Sequence, residues 1–334
     1  MSDSADSPMD RHAFKADALM AEHPPCLCNP NKQVVLDIAC PPGAVHRGTI
    51  GYSRWAAMDL PNHLDPVPAD LVVASPGFFD YRPVIDRDDG VEWHLNFADP
   101  HLFVAYAGGL FAQDEMQVAE HPALGSLKQA LEAAGVETRT DGSAGPTPVL
   151  MTGVERRVVV ATKPDAASGR PHGLYGNAFA AATPDAVRRA TTPIDPPTVT
   201  NLIAIAAIAG GWGRYTRDEI HRTLITAYTG FRAAVVESDR LTAGPARVVV
   251  HTGYWGCGAF GGNRELMALL QVLAARMAGI ERLVFHTGSP GGDAPLTAAR
   301  SLLAELTGGD PIATGNLLVA SDAHGFAWGV SDGN

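Results

Sequence analysis

Three groups of residues in this sequence have types and spacings that could do chemistry. Gln113-Asp114-Glu115 sets two carboxyl groups side by side, four residues after Gly109. Gly256, Gly258 and Gly261 spell G-x-G-x-x-G inside VVVHTGYWGCGAFGGNRELMALLQVLAAR. Ser321, Asp322 and His324 put a hydroxyl, an acid and an imidazole close together in ASDAHGFAWG. The last group is the weakest. Hydrolytic triads are assembled in space rather than from sequence neighbours, and no G-x-S-x-G elbow is present. It reads as a strand ending in a turn.

A carboxylic acid in an apolar, partly desolvated pocket keeps its proton near neutral pH and can deliver it to a leaving oxygen. FVAYAGGLFA, just upstream of Asp114 and Glu115, could line such a pocket. The bland alternative is that the two acids only begin a helix, where negative charge suits the dipole.

The glycine turn reads as strand, loop and helix. Asn263 is placed to cap that helix, and Leu266, Leu269, Leu270, Leu273 and Met277 fall on one face. A glycine loop entering a helix N-terminus offers unpaired N–H groups to phosphate oxygens. A nicotinamide dinucleotide fits poorly. That use of the motif needs an acid near the end of the next strand, to hold a ribose. Here the strand ends Phe285-His286-Thr287-Gly288, and Glu281 stands at its beginning.

The elements that must position these residues alternate along the chain. QVVLDIA, ADLVVASPGFF, VEWHLNFAD, TPVLMTG and RRVVVATK are predicted strands. DEMQVAEHPALGSLKQALEAAG is predicted helical, with interruptions at Pro122 and Gly125. A long helical region is predicted from Pro197, taking in TVTNLIAIAAIA and TRDEIHRTLITAYTGFRAAV. ERLVFHTG and NLLVASD are further strands, with the helix PLTAARSLLAELTG between them. Strands alternating with helices indicate an α/β sandwich with a parallel or mixed sheet.

Composition narrows the partners. Lys plus Arg is 25 against 36 for Asp plus Glu, a net charge of −11, which argues against broad nucleic-acid binding. The N-terminus lacks a signal-like apolar core, and LIAIAAIAGGWG is too short to span a bilayer, so a cytoplasmic protein is expected. His23, Cys26, Cys28 and Cys40 could be imagined around zinc, but their spacing is not a standard one; ordinary thiols are expected, with no metal and no cofactor.

The loop G-Y-W-G-C-G-A-F-G-G-N closely resembles the diphosphate loop of the poly(ADP-ribose) glycohydrolase family. The likeness extends from about Thr198 to Gly288. The family's second signature, glycines followed by Gln-Glu-Glu, is matched by NFADPHLFVAYAGGLFAQDEMQVAEHPAL. The resemblance implies a three-layer α/β/α macrodomain-like sandwich with a mixed central sheet. It spans residues 71–334, behind an N-terminal arm and accessory segment at 1–70. It implies Glu115 as the acid/base, supported by Asp114. It implies ligand contacts from Asn96, Gly108, Gly109, Gln113 and Tyr175, and from Gly256, Cys257, Gly258, Ala259, Phe260 and Gly261.

The implied activity is hydrolysis of ribose–ribose O-glycosidic bonds in poly(ADP-ribose), releasing ADP-ribose, by a monomer. The alternatives are removal of single ADP-ribose units from protein or nucleobase, and a non-catalytic ADP-ribose reader. Three departures bear on that choice: Ala107 replaces the first glycine of the run and the connection to Gln113 is short, Asp114 replaces Glu, and Thr287 replaces an aromatic.

Overall fold

The computed structural model describes residues 7–85 and 90–333. The chain starts with β1 (Asp10–Lys15), α1 (Ala16–Glu22), α2 (Pro30–Ala39), β2 (Thr49–Arg54), β3 (His63–Leu64) and β4 (Val72–Ser75). Next come β5 (Gly90–Ala98), α3 (Gln113–Glu120), α4 (Ala123–Ala133), β6 (Asp141–Gly142), β7 (Gly145–Pro146) and β8 (Val149–Val160). They are followed by α5 (Ala178–Ala181), α6 (Pro184–Ala190), β9 (Thr191–Ala206), α7 (Arg217–Thr242), β10 (Arg247–Thr252) and α8 (Arg264–Ala278). β11 (Arg282–His286), α9 (Ala294–Thr307), β12 (Ile312–Ala313) and α10 (Thr314–His324) complete the order.

Eight strands form one sheet in the order β1-β2-β8-β9-β5-β10-β11-β4. β9, β5, β10, β11 and β4 pair in parallel, while β8, β2 and β1 join antiparallel on the other side. The sheet is therefore mixed, with helices on both faces. Side-chain alternation assigns the faces: Ile203 and Ile205 of β9 join the core under α7 and α8, whereas Leu202 and Ala204 join the core under α1 and α4. An apolar layer on each side explains why the parallel strands read as continuous hydrophobic runs.

Three expectations from the sequence are overturned. TVTNLIAIAAIA is not helical; it ends β9, because a run buried on both faces lacks the polar alternation that marks a strand. QVVLDIA is helix α2, begun by Asn29, whose side chain accepts from the Asn31 and Lys32 N–H groups, with Pro30 in the first turn. NLLVASD lies in α10, so Ser321, Asp322 and His324 sit on a helix. TPVLMTG and RRVVVATK merge into the single strand β8, kinked where Gly153 takes φ +73°. The break at Pro122 holds, separating α3 from α4, while Gly125 is buried inside α4.

β5 and β10 are neighbours running the same way, so the segments leaving their carboxyl ends emerge together. The segment after β5 leads to α3 and Asp114-Glu115; the segment after β10 is the glycine loop leading to α8. Ligand crevices of open α/β sheets form at such carboxyl ends.

Candidate active site

Along β5, Val91, Trp93 and Leu95 enter one core, so Glu92, His94 and Asn96 face the other side, where α3 packs. The buried Asn96 amide donates to Asp114 Oδ1 at 2.9 Å and to Gln117 Oε1 at 2.9 Å. Gln113 clamps the same strand: its Oε1 accepts from Phe97 N at 2.8 Å, and its Nε2 donates to the Leu95 carbonyl at 3.0 Å. Gln113 thus holds β5 against the first turn of α3 through both ends of its amide. Glu115 Oε2 accepts from Ala112 N at 3.0 Å, the returning half of a capping box whose N-cap residue carries no acceptor. That bond ties one oxygen of Glu115 to the start of α3.

Both carboxyls are buried. Burial, and then the Glu115 charge beside it, push the Asp114 carboxyl up to about 7; Asn96 donation and the Lys32 charge act the other way. Lys32, on α2, is buried as well, with Nζ donating to the Tyr106 carbonyl at 3.0 Å. Burial pushes that ammonium down to about 8, opposed by Glu115 and Asp114.

The glycine loop is built tightly. Gly256 has φ +73°, and a Cβ there would lie 2.5 Å from the Ala207 methyl, so only glycine fits. Gly262 N donates to the Gly256 carbonyl at 2.8 Å, and Gly261 N to the Gly258 carbonyl at 3.0 Å. Asn263 caps α8 as the sequence predicts, accepting from Leu266 N at 3.0 Å. Cys257 and Phe260 pack against the main core, and burial pushes the Cys257 thiol up to about 12, so it carries no thiolate chemistry. Ala259 lies in the same turn.

Tyr175 stands opposite. Its loop is fixed to the approach of α3 by Gly176 N donating to the Phe111 carbonyl at 3.0 Å. Tyr175 is 44% exposed, and its phenol, pushed up by the partial burial of its ring and then by the charges of Asp332 and Glu115, remains a neutral hydroxyl. Asp332 belongs to the C-terminal segment, which crosses the cleft. Gly329 N donates to the Gly261 carbonyl at 2.9 Å, and Asp332 N to the Gly258 carbonyl at 3.4 Å. The Gly333 carbonyl accepts from Asn177 at 3.4 Å. A Cβ on Gly258 would sit 3.1 Å from Asp332 Oδ2, so a carboxylate lies against the glycine loop.

Gly108 and Gly109 end the turn before α3, and a Cβ on Gly109 would meet the Ala180 methyl at 2.7 Å. Gly109 thus packs that turn closely against α5 and Asn29, while a Cβ on Gly108 would meet only the Ala105 carbonyl. The sequence therefore brings together Asn96, Asp114, Glu115 and Tyr175 on one side and the glycine loop on the other.

Sequence reasoning missed four contributors: Lys32, Gln117, Tyr81 and the histidine column. Gln117 Nε2 donates to Tyr81 Oη at 3.0 Å, and Tyr81 stacks on His94 at a centroid distance of 4.4 Å. His94 stacks in turn on His251 at 4.3 Å. Neither ring nitrogen of His94 has a hydrogen-bond partner among the described residues, and burial drives its pKa well down, so the ring stays neutral. Glu92, His94 and Asn96 at alternate positions were the available signal. Gln113 and Gln117, one helical turn apart, were another. Among the described residues, no three His, Cys, Asp or Glu side chains stand close enough to hold a metal.

A mixed sheet with helices on both faces, and a glycine loop entering a helix at the ends of its parallel strands, defines an α/β sandwich with a loop suited to an anion. Residues 172–290 match the family described as Poly (ADP-ribose) glycohydrolase (PARG), Macro domain fold. Among solved structures, it is similar to the glycohydrolase of Thermomonospora curvata bound to the inhibitor ADP-HPD. The identity there is 19%, covering 63% of this chain and 70% of that one, with a TM-score of 0.37. It is also similar to the glycohydrolase of Deinococcus radiodurans in complex with ADP-ribose. That match has 12% identity over 91% of this chain and 98% of that one, with a TM-score of 0.40. No helix among the described residues is long and apolar enough to cross a membrane.

Proposed function

We propose that the chain hydrolyses ribose–ribose O-glycosidic bonds of poly(ADP-ribose) and releases ADP-ribose. The observation that carries this reading is that two structures leave the carboxyl ends of the neighbouring parallel strands β5 and β10. One is a buried carboxyl pair on the first turn of α3, held by Asn96. The other is a glycine loop at the N-terminus of α8. The loop and helix end suit a diphosphate, and the carboxyls suit the glycosidic bond of the ribose attached to it.

In this reading the proton held by the buried Asp114–Glu115 pair passes through Glu115 to the departing ribose oxygen as the glycosidic C–O bond breaks. The electron pair of that bond leaves with the oxygen, and positive charge develops on the anomeric carbon and its ring oxygen. Glu115, now a carboxylate, takes a proton from the water that attacks the anomeric carbon, which restores the acid. Asp114, fixed by Asn96, orients the pair and contacts ribose hydroxyls. Phe260 and Tyr175 bound the ribose from opposite sides. The amide of Gln113 is committed to β5, so its contribution is to hold α3 in place.

The test is incubation with poly(ADP-ribose) and, separately, with mono-ADP-ribosylated protein, following free ADP-ribose. Release from polymer supports the reading. Release only from the mono-modified protein moves the substrate to single units, and tight binding of ADP-ribose without release from either makes the protein a reader.

A further inference from the structure

The first helix to approach the carboxyl pair comes from outside the catalytic segment. α2 is anchored at its start on the turn that precedes α3: Cys28 N and Asn29 N both donate to the Ala107 carbonyl, at 2.9 and 3.1 Å. Asn31 reaches across to α5, donating to the carbonyls of Phe179 and Ala182 at 2.8 and 2.9 Å. Between these anchors Lys32 points inward, 2% exposed, with Nζ on the Tyr106 carbonyl at 3.0 Å. Its ammonium lies 5.2 Å from the centroid of the Phe111 ring and 5.9 Å from that of Phe179, two rings stacked at 4.0 Å.

A lysine buried to this depth is expensive. A carbonyl and two ring faces compensate only part of the hydration it loses. Phe111, whose ring lies 5.2 Å from the ammonium, leads directly into α3, and the charges that act on Lys32 through space from that helix are those of Glu115 and Asp114. The charges acting on Asp114 are those of Glu115, Lys32 and Asp99.

We infer that Lys32 is a positioning residue of the catalytic pair, a buried counter-charge that α2 lends to Asp114 and Glu115. Two neighbouring buried carboxyls resist ionising together, and a cation in the same surroundings lowers that cost. With Lys32 present, one can carry charge while the other holds the proton it must deliver. The inference rests on the catalytic reading proposed for that pair. It makes part of the N-terminal segment functionally inseparable from the site. Lys32 touches no substrate in this account and acts only through the two acids.

Two measurements test it. The first is the pH profile of kcat for wild type and for Lys32→Gln, whose amide can still donate to the Tyr106 carbonyl but carries no charge. Loss of the counter-charge raises the pH at which the pair gives up its proton, so the alkaline limb of the profile should move up by about one pH unit. Lys32→Arg, which keeps the charge, should leave that limb in place. A Lys32→Gln limb coincident with wild type, with kcat lowered equally at every pH, would mean that Lys32 only fills space.

The second measurement needs neither turnover nor a change at Lys32. The titration of Lys32, followed by carbon NMR at Cε, is compared in wild type and Glu115→Gln. Removing the Glu115 charge should lower the Lys32 midpoint by about one unit; an unchanged midpoint overturns the inference. Should the wild type release no ADP-ribose, the catalytic reading fails, and this titration still decides whether Lys32 and Glu115 are coupled.

Discussion

The side-chain amide of Asn96 donates to Oδ1 of Asp114 at 2.9 Å, joining β5 to the first turn of α3. The bond fixes which way the two acids point. Adjacent helical residues are about 100° apart around the axis. Asp114 is therefore turned to the strand, and Glu115 to the Tyr175 side. Two neighbouring carboxyls acquire different work from that single constraint.

The burden of burying Asp114 should be visible as pH-dependent stability. Its carboxyl is pushed up, first by burial and then by Glu115, to about 7 in the folded chain, against about 3.9 for an ordinary aspartate. The folded state therefore holds a proton that the unfolded state has released between these values. Stability contributed by this group is full below the ordinary aspartate value and is lost as pH rises toward 7. Asp114→Asn keeps an oxygen for Asn96 and removes that loss. Its melting temperature relative to wild type should rise steadily from pH 4 to pH 7 and then level off. A difference that stays flat across this range would contradict the assignment.

Much of this arrangement is legible in the chain, and the limits are physical. The cap at Asn263, the apolar face of α8 and the glycine turn follow from local chemistry, and the structure has them. β9 escaped because Leu202, Ile203, Ala204 and Ile205 alternate between two apolar cores, so the sequence shows no alternation of polarity. α2 was legible and misread: an Asn at the cap followed by Pro30 is a helix start, outvoted by the valines of QVVLDIA. Lys32 beside Glu115, and Asp332 against Gly258, join residues far apart in sequence. No spacing rule reaches them. The same holds for His94, whose stacking between Tyr81 and His251 is visible only once β5 and β10 are paired.

The carboxylate of Asp332 lies against the loop proposed to hold a diphosphate. A bound diphosphate would meet a like charge at that point. Asp332→Asn should strengthen ADP-ribose binding by about three- to tenfold at low salt, with the gain shrinking as salt is added. Calorimetry at two ionic strengths checks both parts. Weaker binding by the variant would make Asp332 a ligand contact.

Ligand-induced stabilisation separates this site from a nicotinamide site. ADP-ribose should raise the melting temperature, by an amount equivalent to about 2.7 kcal/mol at one hundred times its Kd, whereas NADH should not. The reason lies in β11, which ends at His286 and is followed by Thr287, with no acid placed to hold the second ribose. Stabilisation by NADH and not by ADP-ribose would reverse the choice.

The central claim is that Glu115 moves the protons, and one comparison addresses it most directly: hydrolysis of poly(ADP-ribose) and binding of ADP-ribose by wild type and Glu115→Gln. The amide preserves the shape and can still accept from Ala112 N, so the first turn of α3 should stand. It cannot give a proton and then take one back. Release of ADP-ribose should fall by at least about 10²-fold, while ADP-ribose affinity by calorimetry stays within about twofold, because the diphosphate is proposed to rest on backbone N–H groups of the glycine loop. Hydrolysis by Glu115→Gln at the wild-type rate would contradict the account. Loss of activity in Asp114→Asn with Glu115→Gln still active would place the acid one residue earlier.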